Sequence, residues 1–206
     1  MRRKYQQGGL RRNDLQEDPV AQFHQWLADA AEAGVIEPNA MVLATCPADG
    51  QPTQRTVLAK NVDERGIVFF TNFGSRKARE IGENEQVSLL FPWYLLERQV
   101  MITGTATRVP SSESLKYFLT RPLESRLGAW ASDQSSPISS RALLEAKFAE
   151  MKAKFKEGEV PLPSFWGGFR VVPKTIECWQ GGEGRLHDRF QYTRADDGWE
   201  IERLAP

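Results

Sequence analysis

Two cysteines and two histidines are all that the 206 residues contain. Cys46 and Cys178 lie far apart with no metal-ligand spacing. That excludes a zinc module and leaves both thiols structural, in a chain expected to be cytoplasmic, with no metal. No apolar run approaches the about 18 residues that span a bilayer, so neither a transmembrane helix nor a membrane partner is expected. The basic start, Met1-Arg2-Arg3-Lys4-Tyr5, lacks the apolar core of a signal peptide. Net charge is also missing, because 27 Lys+Arg balance 27 Asp+Glu. No global field draws the chain to nucleic acid, and any anion binding must be local. Aromatic residues are plentiful: 11 Phe and 6 Trp can supply the core of one compact domain over residues 1–206.

Residues 1–17 read as a basic arm that Tyr5 and Leu10 can anchor. Asp18 as N-cap and Pro19 at the first helical position open a helix. Its apolar stripe is Val20, Phe23, Leu27, Ala30 and Ala31, and Gly34 stops it. His24 sits beside the stripe and reads as structural or solvent-facing. From 41 to 109 the pattern changes to strands at 41–46, 53–60, 67–71, 87–91 and 99–109, with a turn at Asp49-Gly50. Successive antiparallel strands with short turns favour a barrel over a doubly wound sheet. Residues 111–156 read as a helical insertion. Ser111 or Ser112 caps a first helix that must end near Thr120, because Pro122 restricts its predecessor. Ser139 or Ser140 starts another, with Leu144, Phe148, Met151 and Phe155 on one stripe. Strands return over 165–206, at 165–172 and 175–179, with a closing hairpin about Asp197-Gly198. The expected class is mainly β with helical additions.

Three local clusters carry chemistry. In Gly181-Gly182-Glu183-Gly184-Arg185-Leu186-His187-Asp188-Arg189, a strand starting at Arg185 would put Arg185, His187 and Arg189 on one face and Leu186 on the other. Such a face either surrounds an anion or is a solvated hairpin end. In Gly74-Ser75-Arg76-Lys77, a serine cap precedes two cations in the first turn of a short helix. They oppose the helix dipole, a cost that is offset if an anion sits at the helix N-terminus. The alternative is an exposed basic turn. Tyr117, Arg121 and Ser125 are spaced four and four apart. If helix geometry resumes after Pro122, all three face one side and suit a phosphate dianion. Arg11, Arg12 and Arg203 form either a second anion site, if the termini meet, or a solvated patch.

Taken together and in order, several stretches resemble the pyridoxamine 5′-phosphate oxidase family, flavin enzymes of vitamin B6 metabolism. They include Arg2-Arg3-Lys4-Tyr5, Gln54-Arg55-Thr56-Val57-Leu58-Ala59-Lys60, Phe70-Thr71-Asn72, Gly74-Ser75-Arg76-Lys77 and Glu97-Arg98-Gln99-Val100. Arg121-Pro122, Gly128-Ala129-Trp130, Gln134-Ser135-Ser136, Pro163-Ser164-Phe165-Trp166-Gly167-Gly168 and Arg185-Leu186-His187-Asp188-Arg189 continue the match. The resemblance implies an FMN-binding split β-barrel, a homodimer with FMN at the subunit interface, and FMN as cofactor. It also implies oxidation of pyridoxamine or pyridoxine 5′-phosphate to pyridoxal 5′-phosphate by O2, with H2O2 released, and ammonia from the amine.

By position, the resemblance implies flavin contacts at Arg55, Thr56, Val57, Leu58, Ala59, Lys60, Phe70, Thr71, Arg76, Lys77, Gln99, Gln134, Ser135, Trp179 and Arg189. Substrate contacts are implied at Arg2, Arg3, Lys4, Tyr5, Lys60, Tyr117, Arg121, Ser125, Arg185, Leu186 and His187. Arg185, His187 and Tyr5 are the expected catalytic group. Phe70 stands where some members have tyrosine, and Gly184 where a bulkier polar residue is expected. Arg55 and Lys60 differ by an odd number, so both reach one ligand only if the strand bends, bulges or ends near Lys60. Another split-barrel flavin reductase, or a non-catalytic binder of FMN or pyridoxal phosphate, is the competing reading.

Overall fold

The computed structural model describes residues 8–155 and 160–206, so Arg2, Arg3, Lys4 and Tyr5 lie outside the described residues. Helix α1 (Pro19–Glu32) starts as its caps dictate. The Asp18 carboxylate accepts from the backbone N–H of Val20 at 3.0 Å and of Ala21 at 3.3 Å, and Gly34 follows the helix with φ +80°. The buried face is Pro19, Gln22, Phe23, Trp26 and Ala30. It is rotated from the expected stripe because Trp26, the largest side chain of the helix, turns inward while Ala31 stays exposed. Phe23 meets Phe91 edge-on at 4.8 Å, which docks α1 on the sheet. His24 is exposed and its Nε2 lies 3.0 Å from the Val62 carbonyl oxygen, consistent with a structural role.

Among the described residues nine strands follow: β1 (Ala40–Thr45), β2 (Thr53–Leu58), β3 (Asn61–Asp63), β4 (Gly66–Asn72), β5 (Gln86–Trp93), β6 (Arg98–Arg108), β7 (Trp166–Gln180), β8 (Asp188–Ala195) and β9 (Gly198–Leu204). All pairs are antiparallel, in the order β2-β1-β5-β6-β7-β4-β3. The two strands expected at 165–172 and 175–179 are one, β7. Pro173 does not end it, because the β6–β7 register shifts between Thr103 and Gly104 and absorbs the irregularity as a bulge. Gly104 is required there: a Cβ would lie 2.1 Å from the Val172 carbonyl oxygen.

This long strand forks the sheet. Its first half pairs with β4 and its second half with β8, which carries β9. Strand β2, at one end of the path, also contacts β4 near the other, and the Lys60 N–H donates to the Val68 carbonyl at 2.8 Å. The sheet therefore curls into a split barrel around Met41, Leu43, Phe69, Leu89, Phe91, Ile102 and Val171, all buried.

Helix α2 (Arg76–Glu83) joins β4 to β5, and α3 (Ser111–Thr120), α4 (Leu123–Ala131) and α5 (Arg141–Lys154) lie between β6 and β7. Pro110, not Ser111 or Ser112, occupies the N-cap of α3, so those serines are its first helical residues. Ser140 does cap α5, accepting from Leu143 N–H at 3.2 Å. The stripe expected on α5 is only half buried: Phe148, Met151 and Phe155 pack against a second apolar cluster of Phe118, Leu127, Val160 and Trp166, while Leu144 remains exposed. Among the described residues no helix is long and apolar enough to cross a membrane, and no group of His, Cys, Asp or Glu is placed to hold a metal ion.

Candidate active site

A cleft of about 1100 Å³ runs between β2, the end of β4, the start of α2, and the α3–α4 helices with the loop after them. From β2 come Arg55, Thr56, Val57 and Leu58, and just beyond it Lys60. The strand ends at Leu58. Ala59 is buried and donates its N–H to Asn39 O at 2.9 Å, the next rung of the β1–β2 register. The Lys60 N–H then turns to Val68 O of β4 at 2.8 Å, and with this change of partner both Arg55 and Lys60 line the cleft.

Phe70 and Thr71 near the end of β4, and Arg76 and Lys77 at the start of α2, line the cleft as well. Ser75 holds the N-cap position, but its hydroxyl caps no helix N–H. Instead it is buried, 3.4 Å from Lys77 Nζ. The first turn of α2 is thus left without a side-chain cap, with two cations beside it. Lys77 Nζ donates to Thr71 Oγ1 at 3.1 Å and to Gln134 Oε1 at 3.2 Å, both neutral acceptors. Burial, with the Arg55 charge adding, pushes this ammonium from lysine's usual 10.5 down to about 8. Gln134 also accepts from Thr71 Oγ1 at 2.9 Å. Ser135 follows at φ +71°, a left-handed conformation that a non-glycine residue keeps only under constraint.

The third wall is the helix junction. Helix α3 stops at Thr120, Arg121 is extended, and α4 begins after Pro122. Tyr117, Arg121 and Ser125 all line the cleft, although the extended Arg121 divides α3 from α4 and the three do not share one helix face. Phe70 stacks on Tyr117 at 4.1 Å and on Trp166 at 5.4 Å, within 16° of parallel. The Arg121 guanidinium lies 4.7 Å from the Trp166 ring centre. Its Nη1 is buried without a hydrogen-bond partner, and burial lowers its pKa, the Tyr117 charge opposing. A buried guanidinium nitrogen without a hydrogen-bond partner is costly unless an acceptor arrives.

Gln99, Trp179, Arg185, Leu186, His187 and Arg189 do not line this cleft. They form a second group. Gln99, Trp179 and Arg189 are cross-strand neighbours on β6, β7 and β8, and the Trp179 and His187 rings are 4.7 Å apart. The expected alternation from Arg185 fails. Glu183–Arg185 is a 3-10 turn, Arg185 has φ +67° and is exposed, and β8 begins only at Asp188. The loop closes tightly, since a Cβ on Gly182 would lie 2.1 Å from Leu186 O. The closure brings Gly182 N–H to His187 Nδ1 at 3.1 Å, so a neutral His187 carries its proton on Nε2. Arg189 is held by Glu177 at 2.8 and 3.0 Å and donates to Ala205 O. The termini do meet: Asp188 accepts from Leu10 N–H at 2.9 Å and from Arg203. Yet Arg203 is paired with Asp188, and Arg12 with Glu17 at 2.6 Å.

Thr53, Asn72, Thr120, Ser132 and Trp166 also line the cleft and were not singled out by the sequence. Asn72 and Trp166 stand inside matched stretches, which is the one signal that could have marked them. Trp166 reaches Phe70 only through β4–β7 pairing, so no local periodicity points to it.

The pyridoxamine 5′-phosphate oxidase family model matches residues 27–155. A model of the pyridoxine 5′-phosphate oxidase C-terminal dimerisation region matches residues 166–206. The pyridoxine/pyridoxamine 5′-phosphate oxidase of Escherichia fergusonii is 60% identical over 206 residues, covering 100% of this chain and 94% of that protein. The protein of that name from Cronobacter sakazakii is also 60% identical over the same span. Among solved structures, PhzG from Burkholderia lata, in complex with tetrahydrophenazine-1-carboxylic acid, has a TM-score of 0.91 at 33% identity, over 97% of this chain and 99% of that one. An FMN binding protein from Nostoc punctiforme, related to pyridoxamine 5′-phosphate oxidase, shares the fold with a TM-score of 0.72 at 16% identity, over 89% of this chain and 97% of that one. On the match of both regions and of full-length relatives, the chain belongs to the pyridoxamine 5′-phosphate oxidase family.

Proposed function

We propose that this chain is an FMN-dependent oxidase that converts pyridoxamine or pyridoxine 5′-phosphate to pyridoxal 5′-phosphate. O2 is the acceptor and H2O2 is released; the amine substrate also takes up water and yields ammonia. The observation that carries this reading is one cleft lined by two groups of cations from different elements, Arg76 and Lys77 of α2 and Arg121 of the α3–α4 junction, together with the stacked rings of Phe70, Tyr117 and Trp166. A phosphorylated flavin and a phosphorylated pyridine need two such cationic groups. The residues fit FMN: Lys77 faces only neutral acceptors, the first turn of α2 has no side-chain cap, and Thr71, Gln134 and the Ser135 loop stand beside them. When bound, FMN supplies the hydride acceptor.

The protein's part is to bind, orient and exclude water. Arg121, Tyr117 and Ser125 hold the substrate phosphate, and the orphaned Arg121 Nη1 is satisfied by it. Lys60, which also lines the cleft, is a further cation for the bound phosphates. Arg185, His187 and Tyr5 cover the substrate ring, and a neutral His187, whose Nδ1 is taken by the Gly182 N–H, presents its Nε2–H as a donor to the hydroxyl or amine carried on C4′. In this reading the second group, Gln99, Trp179, Arg185, Leu186, His187 and Arg189, closes the cleft of the other subunit of a homodimer. The match of residues 166–206 to a dimerisation region supports it.

The test is aerobic incubation of the purified protein with pyridoxine 5′-phosphate, following pyridoxal 5′-phosphate and H2O2 together, with the visible spectrum of the stock. The expected result is a yellow dimer that forms both products. A colourless protein that FMN does not reconstitute, or a flavoprotein inert toward both B6 phosphates, overturns the assignment.

A further inference from the structure

Glu80 lies on α2 one turn beyond Arg76 and is 4% exposed. None of the contacts assigned above uses it. Its carboxylate accepts from four donors on three elements: Thr45 Oγ1 of β1 at 2.5 Å, Thr53 Oγ1 of β2 at 2.6 Å, Arg55 Nη2 of β2 at 3.2 Å and Arg76 Nε of α2 at 2.7 Å. Arg55 in turn donates to Thr45 Oγ1, Thr53 Oγ1 and Leu43 O, so the two hydroxyls relay between guanidinium and carboxylate. Burial alone would raise the Glu80 pKa. The hydrogen bonds from Thr45, Thr53, Arg76 and Arg55 outweigh it and bring the value to about 2, so the group stays ionised.

The two arginines that converge on this carboxylate, Arg55 from β2 and Arg76 from α2, both line the cleft. Left alone, two guanidinium groups and Lys77 would repel, and Arg76, with a side chain 58% exposed, would sample many rotamers. The Arg76 Nε edge is taken by Glu80, which leaves its terminal N–H groups for the cleft. We propose that Glu80 is a positioning residue for the phosphate end of the cleft: anchored by the β1 and β2 threonines, its carboxylate fixes Arg55 and Arg76 in the geometry that receives the flavin phosphate. This rests on the FMN reading above.

A plain charge argument gives the opposite sign. Removing a carboxylate near an anion site strengthens the positive field and tightens anion binding. Positioning predicts a loss. The experiment titrates the full-length, flavin-stripped protein with FMN and with riboflavin, which lacks the phosphate, following quenching of flavin fluorescence. Glu80→Gln removes the charge at nearly constant shape; Glu80→Asp keeps the charge but shortens its reach. Both variants are expected to bind FMN about tenfold more weakly, the scale of one charge-assisted hydrogen bond, with riboflavin affinity unchanged. In an Arg76→Ala background the Glu80→Gln effect is expected to shrink, because the group it positions is gone. Unchanged or tighter FMN binding in Glu80→Gln overturns the proposal, as does full affinity in Glu80→Asp, or an equal loss for both flavins, which marks a packing role only. If Glu80→Gln does not fold, the Glu80→Asp result decides. Failure of the parent protein to bind FMN overturns the flavin reading itself and is distinct from these outcomes.

Discussion

Flavin affinity is expected to fall above pH 8, and Lys77 is the reason. In the flavin-free protein its ammonium is buried against Thr71, Ser75 and Gln134, with no carboxylate among these partners, and its pKa is pushed down to about 8. A phosphate dianion placed beside it favours the charged form and returns the pKa toward lysine's usual 10.5. Binding then takes up a proton wherever the two values differ. At pH 9 roughly one flavin-free molecule in ten keeps the Lys77 proton, so FMN affinity is expected to drop about tenfold between pH 7 and pH 9. The ligand does not account for the drop, since a phosphomonoester is already a dianion above about pH 6. Fluorescence titration at the two pH values measures the drop, and calorimetry in buffers of different ionisation enthalpy measures the proton uptake. Riboflavin is expected to show no such dependence, and Lys77→Met is expected to bind FMN weakly at both pH values. Flat FMN affinity, or an equal fall for riboflavin, refutes the reasoning. The same shift has a consequence for folding. The folded flavin-free chain releases this proton before the unfolded chain does, so this group adds stability as pH rises from about 8 toward 10.5.

Arg121→Ala removes the orphaned guanidinium and is expected to cost about 1.5–3 kcal/mol of substrate phosphate binding, roughly ten- to a hundredfold in kcat/KM. Steady-state kinetics checks it: flavin content and turnover of unphosphorylated pyridoxine should stay as in the parent protein. Gly104→Ala drives a Cβ into the Val172 carbonyl oxygen at 2.1 Å and is expected to destabilise by at least about 2 kcal/mol, lowering Tm by roughly 4–8 °C. Gly82→Ala, on the exposed side of α2 with nothing within 4 Å, is expected to gain about 0.5–1 kcal/mol in the same melt. Deleting residues 1–7 spares the Leu10–Asp188 contact, and is expected to lower kcat through loss of Tyr5 while flavin content is retained. Unchanged kcat removes Tyr5 from the catalytic group.

Local chemistry was legible from the sequence. Asp18, Pro19 and Gly34 mark α1 because capping and helix termination act within a few residues. Arg76 and Lys77 fall in the first turn of α2, as the serine before them marks; Tyr117, Arg121 and Ser125 share one wall across the break at Arg121-Pro122, which the sequence marks through the proline. What tertiary structure decided depends on groups far apart in the chain. Arg55 and Lys60 share the cleft only because the backbone leaves β1 after Ala59 and the Lys60 N–H bonds to Val68 of β4 instead. Trp166 stacks on Phe70 through pairing of β4 with β7. Glu80 meets Arg55 and Arg76, which line the cleft, only when β1, β2 and α2 converge on it. The loop of Arg185 and His187, the cluster most conspicuous in the sequence, lies outside the cleft of its own chain, because β7 forks and carries β8 away from β4. Periodicity reports which way a side chain faces within one element; which elements meet is determined by the burial of whole faces across the chain.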